Sequence, residues 1–206
     1  LLAALVLLSP LADAQPSPLA ESSPAFNAVL QSPQHHAAVL GAVKQSTVWR
    51  KHACAAATFA VQKVMIYHAP SFDASGKPLS GVWGEKLRAT GCGNTLILNA
   101  VTQVRSPGVL VSGALAPGDT VADPILQRDA SLYARPVLMR GHAGCRDAYV
   151  ENTEVLNKTV PQPGSATGPV RFEKWTAFVC GSTVAVELMF TPNATGTTIA
   201  AYASNE

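Results

Sequence analysis

The chain has 206 residues, of which 48% are hydrophobic and 14% charged, with a formal net charge of +2. That balance excludes a disordered or polyelectrolyte chain, and no basic stretch with interleaved aromatics is present to hold nucleic acid. Low charge with 15 Gly and 15 Pro favours strands and turns.

Leu1 to Ala14 is a short apolar run closed by Ser9-Pro10 and the small-x-small end Ala12-Asp13-Ala14. It reads as the core and cleavage site of a secretory signal peptide, shortened at its start. It falls well short of the ~20 apolar residues that span a bilayer, and no later segment reaches that length. The expected location is therefore periplasmic or secreted. Residues 15–23 form a flexible Pro/Ser/Ala leader. A helical arm is expected over 24–45: one turn after Ser23-Pro24 carries Phe26, Val29 and Leu30, and Ser32-Pro33 caps a helix bearing Val39, Leu40 and Val43.

Beyond the arm the chain duplicates itself. Glu85-Lys-Leu-Arg-Ala-Thr-Gly-Cys-Gly-Asn-Thr95 and Glu173-Lys-Trp-Thr-Ala-Phe-Val-Cys-Gly-Ser-Thr183 agree at six of eleven positions. Arg50-Lys-His-Ala-Cys54 likewise matches Arg140-Gly-His-Ala-Gly-Cys145 with one glycine inserted. The expected fold is α+β and β-rich: two tandem disulfide-stapled antiparallel meander units with the N-terminal helical arm. The first β repeat is placed at 46–115, a connector with a short helix capped by Asp123 at 116–134, and the second β repeat at 135–206. The arm is expected to have no counterpart before the second copy.

In an oxidising compartment the four cysteines form two bridges. Duplication selects Cys54 with Cys92 and Cys145 with Cys180, one staple for each copy. Strands are expected over Thr58–Tyr67, ahead of each Cys-Gly pair, and after it. Val184, Val186, Leu188 and Phe190 mark a buried face with Glu187 on the other; Leu96, Leu98 and Ala100 repeat the phase with Asn99 in place of Glu187. Hairpins are expected at Ser106-Pro107-Gly108 and at Pro192 to Gly196. Residues 69–81 and 161–168 are read as long loops between strands, the places where function tends to sit.

The motifs of common enzymes are missing: no Gly-x-Ser-x-Gly, no His-Glu-x-x-His, no phosphate loop and no dinucleotide fingerprint. No catalytic, cofactor or metal residue is assigned. His35-His36 reads as a solvent-facing pair, since adjacent helical residues diverge by about 100°. Trp49, Trp83 and Trp175 read as packing residues. The functional expectation is an exported, non-enzymatic binding or envelope-associated protein of unknown ligand and partner. The alternative is a hydrolase whose site lies between the copies around His52, His142, Glu85 and Glu173; against it, each Glu-Lys pair reads as a solvated strand edge. Seven Lys or Arg against Asp73 and Glu85 over 46–115 leave a basic first copy, which suggests weak contact with an anionic envelope surface.

Overall fold

The computed structural model describes residues 23–160, 163–164 and 166–204. The expected signal peptide and nearly all of the leader lie outside the described residues. Three short helices open the described chain: α1 (Pro24–Leu30), α2 (Pro33–Gln45) and α3 (Thr47–His52). Each begins on a serine whose hydroxyl accepts an otherwise orphaned amide: Ser23 from Phe26, Ser32 from His35 and Ser46 from Trp49. Ser46 also donates to Val43 O at 2.7 Å, so it ends α2 and starts α3 at a bend.

Four antiparallel strands follow in the order β1-β2-β3-β4: β1 (Thr58–Phe72), β2 (Pro78–Gly91), β3 (Asn94–Ser106) and β4 (Val109–Ala114). Helix α4 (Pro124–Leu138) leads to a second sheet ordered β5-β6-β7-β8: β5 (Ala148–Leu156), β6 (Arg171–Val179), β7 (Ser182–Asn193) and β8 (Gly196–Ala203). The architecture is α+β and β-rich, as expected. None of the helices described is long and apolar enough to cross a membrane.

The central hairpins turn on the Cys-Gly pairs. Gly91 pairs Asn94 and Val179 pairs Ser182, leaving two-residue loops. Both loop residues have positive φ: 50° and 79° at Cys92-Gly93, 45° and 90° at Cys180-Gly181. Two-residue hairpins of this kind match the right-handed twist of the flanking strands, and glycine adopts the second position without strain. Each turn cysteine bridges to the segment between helix and first strand, Cys92 to Cys54 and Cys180 to Cys145. Each staple thus fixes a hairpin tip to the base of its helix.

Four expectations need correction. Residues 69–81 are not a long loop: β1 runs to Phe72 and β2 starts at Pro78. The turn between them is held by Asp73, whose Oδ1 accepts from the amides of Ser75 and Lys77, both at 2.9 Å. Helix α4 is not short; it has 15 residues and carries Pro136 in its last turn. A helix therefore precedes each sheet, and the arm is not peculiar to the first. Asn99, finally, is not on an open face: it is buried, and its amide donates to Ala116 O at 2.7 Å and Gly118 O at 2.9 Å.

Those bonds belong to the connector between the sheets. Gly118 N donates to Ile97 O on β3, while Asp119 N donates to Thr153 O on β5. Thr153 Oγ1 closes the seam, donating to Pro117 O and accepting from Thr120 N. Gly118 has φ 93°, and a Cβ there would stand 2.3 Å from Thr153 O, so no larger residue fits.

Helix α2 packs on β3 and β4, and α4 packs on β7 and β8. In the first sheet the remaining half is covered as well. Trp83 meets Phe26 of α1 edge-on with ring centroids 5.2 Å apart, and Trp49 of α3 lies 4.9 Å from Phe59 of β1. Both indoles are buried. In the second sheet Trp175, Ala177 and Val179 of β6 are buried against Ala134 and Leu138 of α4, and beyond them, toward β5, a cavity remains among the described residues.

Candidate ligand pocket

A cavity of about 430 Å³ lies between α4 and the first two strands of the second sheet. That size is within the ~300–1,000 Å³ usual for small-molecule sites. One wall comes from α4, where Ser131, Ala134, Arg135 and Leu138 recur at helical spacing on one side. The other wall comes from alternate residues of β6, Trp175, Ala177 and Val179, with Val150 of β5 beside them. Both walls carry alanine, Ala134 on the helix and Ala177 on the strand, side chains too short to fill the space beside them. Cys145 and Arg146 line the end nearest the disulfide.

The lining is apolar apart from a few groups with distinct roles. Ser131 Oγ donates back to Gln127 O at 2.8 Å, and so caps its own helix turn. Tyr149 donates to Glu151 Oε1 at 3.5 Å and stacks on Phe178 at 5.4 Å. Burial, then the Glu151 carboxylate, pushes the Tyr149 phenol up from its ordinary value. The only formal charges in the lining are the guanidinium groups of Arg135 and Arg146. Neither is in an ion pair among the described residues.

The sequence-derived candidates lie elsewhere. No hydrogen bond or ion pair joins any two of His52, His142, Glu85 and Glu173 among the described residues. His52 Nε2 is 3.8 Å from Glu151 on the surface, across the seam between the sheets. Glu85 and Glu173 are not solvated edges; both are buried, at 3% and 1% exposure. Glu85 Oε1 meets His35 Nε2 of α2 at 2.5 Å, so His35 is a core residue and not half of a solvent-facing pair; His36 is exposed. Glu173 Oε1 accepts from Thr120 Oγ1 at 3.1 Å and Val121 N at 3.0 Å, and Oε2 from Trp175 Nε1 at 2.8 Å. Each buried carboxylate fastens its sheet to the segment leading into, or forming the start of, its helix. Glu173 has both oxygens bonded and Glu85 one, and buried polar groups tied between elements in this way have a structural task.

No group of three or more His, Cys, Asp or Glu among the described residues is placed to hold a metal ion. Sequence reasoning missed the pocket because its signal is a deficit. The similar segments Arg50–Cys54 and Arg140–Cys145 set Met139 against Trp49, a flexible side chain against a large one. Comparison with known protein families, curated proteins and solved structures returned no match; the geometry alone carries the functional reading.

Proposed function

We propose that the chain is an exported binding protein built from two duplicated helix-and-meander units, and that the second unit holds a small apolar ligand in the pocket between α4 and β5–β6. The observation that carries this reading is the contrast between the two half-sheets. In the first unit Ser46 breaks the helix, α3 turns, and Trp49 is laid over β1. In the second the helix continues through Pro136 to Leu138, Met139 stands in the place of Trp49, and the volume stays empty. Interiors pack to near crystal density, so a cavity of this size beside a filled counterpart fits selection for an occupant better than loose packing. Two disulfides and the Leu1–Ala14 pattern support an oxidising, exported setting.

The test is binding of a neutral apolar fluorophore, N-phenyl-1-naphthylamine, to the full chain with both disulfides formed. Saturable binding to one site is expected. It should be weakened by Ala148→Trp, which closes the mouth at an exposed rim position, and by Ala177→Leu, which fills the wall. No saturable binding to the folded wild type, or undiminished binding in both variants, overturns the reading.

A further inference from the structure

Resting on that pocket, the geometry points to a ligand class: we infer that the site takes a single-chain amphiphilic carboxylate, with its chain between α4 and β6 and its head at Arg135 and Arg146. Charge complementarity is the first ground. Arg135 lies on the pocket face of α4 and Arg146 follows the disulfide cysteine Cys145, so the helix and the loop before β5 each bring one cation to the lining. A guanidinium matches a carboxylate through paired N–H donors, which gives direction as well as attraction.

The neighbouring acids are already engaged, which leaves that charge for a ligand. Asp147, next to Arg146, pairs with Lys51 of α3 at 3.0 Å. Glu151 accepts from Tyr149 and faces His52. Asp129, on the helix with Arg135, is held by Arg128 at 2.8 Å. No carboxylate lines the cavity itself, so a cationic ligand would meet two like charges and no counter-charge. A neutral apolar ligand would leave the same two cations beside its mouth without a partner.

Size and lining choose the rest of the molecule. About 430 Å³ is near the low end for small-molecule sites, which argues for one chain and against a two-chain lipid. Alanine, valine and leucine side chains dominate the walls and offer no polar group to a ring substituent or sugar hydroxyl deep inside. Of the two aromatic residues in the lining, Trp175 has its indole N–H spent on Glu173 and Tyr149 its hydroxyl on Glu151.

The experiment is calorimetric titration of the full chain with dodecanoate, dodecanol and dodecyltrimethylammonium, with 1-naphthoate as an aromatic carboxylate of the same charge. Dodecanoate is expected to bind about tenfold tighter than the alcohol, the scale of one charge-assisted contact in a partly exposed site, and the cation weakest. In Arg135→Gln/Arg146→Gln the carboxylate-to-alcohol affinity ratio should fall towards one, and in the control Arg105→Gln, on the far sheet, it should not. An unchanged ratio in the double variant, or no preference for the carboxylate in the wild type, overturns the head-group assignment. Tighter binding of 1-naphthoate than of dodecanoate overturns the single-chain assignment. Failure of the neutral fluorophore to bind is a different result, and removes the pocket reading itself.

Discussion

Trp175 and Glu173 stand two residues apart on β6, on the same face of the strand, and the indole of the one donates to the carboxylate of the other at 2.8 Å. The other oxygen of that carboxylate takes both donors of the connector at Thr120 and Val121. One side chain therefore holds the pocket floor and the approach to α4 together.

Replacing Glu173 by Ala removes the acceptor from three buried or part-buried donors. An unpaired buried donor costs ~1–3 kcal/mol, so a loss of about 3 kcal/mol or more in chemical denaturation is expected, with Glu173→Gln milder because one acceptor oxygen survives. A loss below about 1 kcal/mol for the alanine variant would show that the carboxylate does not fasten the connector.

His35 and Glu85 form the matching attachment in the first sheet, across 50 residues of chain. Each single replacement by Leu strands a buried polar partner, whereas the double replacement strands none. The two single losses should therefore exceed the double loss by ~0.5–3 kcal/mol in a double-mutant cycle. Strict additivity would mean the contact contributes nothing.

Val186 is fully buried between α4 and the sheet, and Glu187 points away from it to Lys158 at the surface. Val186→Ala should cost ~1–3 kcal/mol through lost methyl packing, and Glu187→Ala no more than ~1 kcal/mol, the range of an exposed pair. Equal losses in urea unfolding would contradict the alternation of β7.

Tyr67 lies over Gly84 of the neighbouring strand, and burial, then the Asp123 carboxylate, pushes its phenol up to about 12. The unfolded chain releases that proton first, near ~10. The stabilisation is thus whole below that pH and is lost as pH rises towards the folded value. Absorbance titration should show a phase near 12 that is lost in Tyr67→Phe, while the upward-shifted Tyr149 still ionises in both, and Tyr67→Phe should flatten the alkaline fall in stability. A phase near 12 of undiminished size in Tyr67→Phe would refute the assignment.

Much of this architecture is legible in residue order because it depends on local rules. Ser-Pro pairs announce α1 and α2, and the period-2 run from Val184 to Phe190 announces β7. The buried polar residues are not legible in that way. His35, Glu85, Asn99 and Glu173 look like surface groups until the element covering them is known, and their partners on those covering elements lie 17 to 53 residues away in the chain. The pocket is harder still, since it arises from a helix that fails to bend where its counterpart does. The nearest textual trace is Met139 set against Trp49, together with alanine at both 134 and 177.

The two bridges enclose the chain's excursions in covalent rings. The Asp73–Lys77 turn lies between Cys54 and Cys92, and residues 157–168 lie between Cys145 and Cys180. A protease that cuts either tip opens a ring without releasing a piece, so the nicked molecule keeps its mass but for one added water and runs as one band until a thiol reductant is supplied. Damage at either place then leaves both sheets tethered while the bridges hold, and the chain's integrity depends on the redox state of its surroundings.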